Sequence, residues 1–163
     1  MMSANTEVKE VLQLLEATPG RLKSITRNLE RPRLNYKFES EPWSINDILA
    51  HLRACSDVWG KSIIAMIEQD HPTMRYVSPR TWIRKTDYLT LEFHSSLQAF
   101  TGQREGLLRS LKMLKPQGWS RGATFTATTR GREHTVLSYA RRIVEHEVEH
   151  CAQIEGLLGS MPK

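Results

Sequence analysis

Apolar residues in this chain recur every three to four positions along four long stretches, and no stretch of similar length alternates with period two. That spacing stacks side chains on one face of an α-helix, so the chain has to bury four amphipathic faces against one another. Val8, Val11, Leu12 and Leu15 open the first stripe. Thr18-Pro19-Gly20 interrupts it, with Pro19 suited to the first position of a restart. Leu22, Ile25 and Leu29 continue it to about Glu30. Residues 31–42 read as a connector with two prolines. The second helix has the clearest start. Ser44 is the cap, Asp47 supplies an acid at the third helical position, and Trp43 and Ile48 sit where a hydrophobic staple joins. It extends to about Gln69, with Ile48, Leu52, Cys55, Trp59, Ile63 and Met66 on one stripe.

Residues 70–89 read as an irregular link. A third helix follows from about Leu91 to Met113 and buries Phe93, Leu97, Phe100, Leu107, Leu108 and Leu111. Residues 114–133 read as a long loop in which 124–129 is a short extended candidate. A fourth helix runs from about Thr135 to Leu158 and stops before Gly159. The expected fold is all-α, a four-helix up-and-down bundle without a convincing sheet. At 163 residues the chain has the size of one domain, taken as 1–163. No internal repeat is apparent.

The apolar runs are too short to span a bilayer, and the polar, acid-bearing start has no signal-peptide core. A cytoplasmic protein is expected, in which Cys55 and Cys151 stay reduced. The net charge of +5 raises nucleic-acid binding as an option. The basic residues are scattered, however, with no dense tract and no interleaved aromatics, so a solvated basic surface is the reading preferred.

Chemistry concentrates in the histidines. His146 and His150 are four residues apart on the fourth helix, which puts both imidazoles on one face within reach of one metal. His51, at the edge of the second helix's stripe, is a third ligand from a neighbouring helix. Three imidazoles leave an open position, and Zn, Ni, Mn or Fe each suit such a set. If helices two and four run parallel, His51 and His146 differ in level by roughly 10 Å, an offset the loop 114–133 would absorb. His71, His94 and His134 read as surface or capping residues. Cys55, one turn after His51, is either a fourth ligand or, as preferred, a small buried hydrophobe. Asp47 either orients His51 or caps its helix. Trp43, Cys55 and Tyr139 are candidates for a neighbouring pocket.

His146-Glu147-Val148-Glu149-His150 also fits the H-E-x-x-H peptidase helix. That reading is set aside because such sites need a third ligand well downstream. Only Glu155 follows, on the same helix. Glu147 falls inside the apolar stripe of helix four, and Arg104 inside that of helix three. A buried interhelical ion pair between them is expected. The catalytic alternative makes Glu147 the general base toward a water at the metal site.

Pro42-Trp43-Ser44-Ile45-Asn46-Asp47-Ile48-Leu49-Ala50-His51-Leu52, Phe100 with Arg104, the loop 118–122 and His146-Glu-Val-Glu-His150-Cys-Ala-Gln153-Ile154 together resemble the DinB/YfiT-like superfamily of four-helix bundles. (The DNA polymerase sharing the DinB name is unrelated to it.) The resemblance spans about residues 8 to 158. It implies a bundle in an uncommon mirror arrangement and a divalent metal, often nickel or zinc, on His51, His146 and His150. It also implies dimers. Characterised relatives include thiol transferases that use bacillithiol or mycothiol, and a maleylpyruvate isomerase. The leading expectation is a metal-dependent thiol transferase or hydrolase acting on a small molecule, with a low-molecular-weight thiol as the partner in the transferase case. The alternative is a non-catalytic metal- or ligand-binding bundle in stress response.

Overall fold

A computed structural model describes residues 3–129 and 131–162. Four long helices form the bundle: α1 (Ala4–Ile25), α3 (Ile45–Glu68), α5 (Phe93–Lys112) and α6 (Val136–Ser160). Two short helices, α2 (Arg31–Leu34) and α4 (Pro79–Trp82), lie in the connections. The residues expected on the inner face of helix three are all buried in α5. The four-helix bundle expected from periodicity is the observed fold class.

Both α1 and α3 pack on α5 and α6, which leaves α1 diagonally opposite α3. Two apolar clusters fill the interior. One joins Val11 and Leu15 of α1, Ile63 and Met66 of α3, Leu108 and Leu111 of α5, and Tyr139 and Ile143 of α6. The other joins Leu22, Ile48, Leu52, Leu97, Phe100, Ile154 and Leu157. The starts of α1 and α6 therefore share one end of the bundle with the finishes of α3 and α5. In chain order the four helices point up, down, down, up. Helices two and four are antiparallel, and the level offset anticipated between His51 and His146 does not arise. Between the two clusters lies a polar waist of His51, Arg104 and Glu147, all buried.

Helix α1 is continuous through Pro19, where the sequence suggests an interruption. A proline inside a helix removes the N–H that would bond the carbonyl four residues back. That carbonyl is Leu15 O, and Arg104 Nη1 donates to it at 2.8 Å. A side chain from α5 thus replaces the missing backbone donor. At the start of α3 the expected capping box is present: Asp47 N–H bonds Ser44 Oγ at 3.1 Å, and Ser44 N–H bonds Asp47 Oδ2 at 3.0 Å.

A small sheet departs from the purely helical expectation. Strand β2 (Gly122–Thr126) pairs in parallel with β1 (Thr73–Arg75) and antiparallel with β3 (Glu133–Thr135). β1 and β3 have three residues each, too few to display a period-two pattern. Ala123 and Phe125 point inward, and Arg121 beside them caps the end of α3 through Met66 O at 2.8 Å and Gln69 O at 2.6 Å. Gly122 is needed here because a Cβ would meet His134 O at 2.7 Å. The link 69–92, which holds β1 and α4, returns along the bundle because α3 and α5 are parallel. It is fastened by Asp57, whose carboxylate accepts from Trp82 Nε1 at 2.9 Å, Tyr88 OH at 2.7 Å and Gln103 Nε2 at 2.7 Å.

Candidate metal centre

Antiparallel packing of α3 on α6 brings the three expected histidines together. His51 Nε2 lies 2.8 Å from His146 Nε2, and His146 Nε2 lies 3.1 Å from His150 Nε2. Two nitrogens held about 2.0–2.1 Å from a tetrahedral ion stand about 3.3 Å apart. Both observed spacings are a little shorter than that and put the His146 nitrogen beside each of the other two, while the donors that all lie within 4.8 Å of one another are those of His51, Cys55 and His146. His150 is oriented from behind: its Nδ1 donates to Gln153 Oε1 at 2.7 Å. An amide oxygen only accepts, so the hydrogen sits on Nδ1 and the Nε2 lone pair faces the cluster. Gln153 Nε2 in turn donates to Glu41 Oε2 at 3.1 Å, and Glu41 Oε1 accepts from Trp43 N–H at 3.2 Å. This is the supporting shell that metal-bound imidazoles use.

Burial, with help from His150, His146 and Arg80, pushes the His51 imidazole down to about 3. Burial likewise lowers His150. Both rings are thereby kept in the neutral form that ligates metals. Cys55 Sγ is 3.5 Å from His51 Nε2. A sulfur about 2.3 Å from a tetrahedral ion would sit about 3.6 Å from a nitrogen ligand. His51, Cys55 and His146 donor atoms all fall within 4.8 Å of one another. Burial pushes the Cys55 thiol up, so without an ion it holds its proton.

The cluster forms part of the wall of a cavity of about 600 Å³. Trp43, Trp59 and Tyr76 supply aromatic walls, with the Trp43 ring centre 4.8 Å from that of His51. Arg80, Arg142, Glu145 and Glu149 add charge. Of the pocket candidates named from sequence, Trp43 lines this cavity. Tyr139 is buried instead, stacked on Phe125 at 5.0 Å, and Cys55 stands behind His51. Arg142 was legible in principle, since it precedes His146 by one turn on the same face. Arg80 was not, because only the fold brings α4 over the cluster.

Glu147 forms the expected ion pair. Its Oε2 accepts from Arg104 Nη1 at 2.9 Å, and its Oε1 accepts from Nη2. Asp47 is engaged by its cap and by Lys37 at 2.9 Å, so it serves the helix start and not His51. Glu155 pairs with Arg21 at 2.9 Å on the surface. His134 does not point outward as expected, because its ring packs against Tyr139 at 5.1 Å and Phe125 at 5.6 Å. His71 and His94 are exposed, the former bonded to Glu133 at 2.9 Å.

The family model of the DinB superfamily matches residues 14–154. Among solved structures, YfiT from Bacillus subtilis, described as a probable metal-dependent hydrolase with an unusual four-helix bundle topology, superposes with a TM-score of 0.82. The two sequences are 20% identical, and the match covers 96% of this chain and 88% of that one. At that identity the likeness concerns the fold. No curated protein matches the chain in sequence. Among the described residues no helix is long and apolar enough to cross a membrane.

Proposed function

The chain belongs to the DinB superfamily, and from that premise we propose that it is a metal-dependent enzyme of small molecules, a hydrolase or thiol transferase. One observation carries the reading: His146 Nε2 stands 2.8 Å from His51 Nε2 and 3.1 Å from His150 Nε2 in the wall of an open cavity. His51, His146 and His150 hold the ion, drawn from Zn, Ni, Mn or Fe. A divalent ion there supplies Lewis acidity that lowers the pKa of a water or thiol nucleophile. Gln153 and Glu41 keep His150 aimed, and burial keeps His51 neutral. Glu147 has the structural role, because serving as a base would require it to leave Arg104. Residues 1–163 act as one domain in this reading.

A second reading has its own observation. Cys55 stands at ligand spacing from His51 and His146. With Cys55 as a fourth ligand the site is closed, which makes it a binding or structural centre. Elemental mass spectrometry on wild type, His150→Ala and Cys55→Ser separates the two. The enzyme reading expects near-stoichiometric metal that is lost in His150→Ala and kept in Cys55→Ser. Metal lost with Cys55 and kept without His150 favours the closed site. No metal in wild type, even after reconstitution with Zn, Ni and Mn, ends both.

A further inference from the structure

We propose that the cavity beside the histidine cluster selects a compact anionic substrate, one bearing a carboxylate or phosphate group, through the guanidinium groups of Arg142 and Arg80. The inference rests on the metal-centre reading and adds to it the class of molecule recognised.

Arg142 lies one turn before His146 on α6. Its guanidinium carbon is 4.7 Å from the Trp59 ring centre, 5.7 Å from Tyr76 and 5.8 Å from Tyr139. Its Nη2 donates to Tyr76 OH at 3.4 Å. Glu145 is three residues on, the spacing of an intrahelical ion pair. Yet among the described residues Arg142 pairs with neither Glu145 nor any other carboxylate. Arg80 reaches the same cavity from α4, its guanidinium carbon 5.6 Å from the Trp43 ring centre, and it also has no carboxylate partner. Arg21, Arg104 and Arg141, by contrast, each take a glutamate.

Two arginines without acidic partners at one concave site are what anion recognition needs. Arg142 is half-buried and has lost part of its hydration, so a bidentate oxyanion replaces those hydrogen bonds, while the exposed Arg80 adds a second positive charge at the same cavity. Aromatic contacts hold Arg142 in place, so its planar fork loses little further freedom on binding. Glu145 and Glu149 line the same cavity and are exposed. Their charge disfavours extended polyanions, which restricts the ligand to one with a single small anionic head.

The test is isothermal titration calorimetry of the full chain, zinc-loaded and metal-stripped, with benzoate and phenylphosphonate as probes. Benzamide and benzylamine are the neutral and cationic controls, and zinc is measured in every sample. The expected result is saturable binding of at least one anion and of neither control. Arg142→Gln and Arg80→Gln should each weaken it at least tenfold with zinc content unchanged. Arg27→Gln, an exposed arginine that does not line the cavity, should bind like wild type. A preference between the anions assigns the head as carboxylate or phosphate. If Arg142→Gln does not fold, Arg142→Lys takes its place and should also lose affinity, because it keeps the charge without the fork. Anion binding that is indifferent to both arginines, or no binding of either anion, overturns the proposal. Stoichiometric zinc with arginine-indifferent binding ends this inference and leaves the metal reading standing. Arginine-dependent binding in a wild type that takes up no zinc does the reverse.

Discussion

Arg104 joins three helices through one side chain: it donates to Glu147 of α6 and to the Leu15 carbonyl that Pro19 leaves open in α1. Its removal strands a buried carboxylate. We expect Arg104→Ala to lose about 3–5 kcal/mol in urea denaturation. Arg104→Met with Glu147→Leu should lose less, about 1–3 kcal/mol, which is the unpaired Leu15 carbonyl. Adding Pro19→Ala supplies an N–H to that carbonyl and should recover most of this loss. If the triple variant is no more stable than the double, the substitution of a side-chain donor for the proline's missing one is wrong. Tyr139 sets an alkaline limit. Burial pushes its phenol up to about 12 from 10, so the folded state resists the phenolate that the unfolded chain forms. Its stabilising contribution is intact below pH 10 and is lost between 10 and 12, with a slope of up to about 1.4 kcal/mol per pH unit. Tyr139→Phe should flatten that slope in denaturation series across pH 9 to 12.

Among the elements, the long helices and the small sheet differ in how they announce themselves. Ser44, Asp47 and an unbroken stripe make α3 legible, and the capping box follows from local chemistry alone. β1 and β3 are each three residues, and their pairing with β2 depends on the return path of the link 69–92. Gly122 reports on that pairing. A Cβ there would press on His134 O at 2.7 Å, a backbone atom unable to turn aside. Gly122→Ala should cost about 1–3 kcal/mol. In a domain of this size that lowers Tm by several degrees, at about 2–4 °C per kcal/mol. A variant melting with wild type would show that the sheet yields readily.

At the scale of the complete bundle, the proposed metal site couples α3 to α6. An ion that binds only the assembled site stabilises the fold by about 2.7 kcal/mol when its free concentration is a hundred times Kd. Zinc should therefore raise the Tm of metal-stripped wild type in differential scanning fluorimetry, and should leave His51→Ala near its metal-free value. Equal shifts in both would place the binding outside the cluster.

Helix periodicity, the caps, the His146–His150 spacing and the burial of Arg104 and Glu147 are local facts, readable because an α-helix converts sequence separation into angle. The α6 partners of His51 and the arrival of Arg80 belong to another kind. Each depends on the directions of α3 and α6 and on a link that returns along the bundle. Stripe patterns do not encode direction, since an amphipathic face buries equally well with its helix reversed. Parallel alignment of helices two and four would have left the histidines about 10 Å apart in level. The antiparallel packing, decided by how the connections cross the two ends, is what makes three separated histidines into one site.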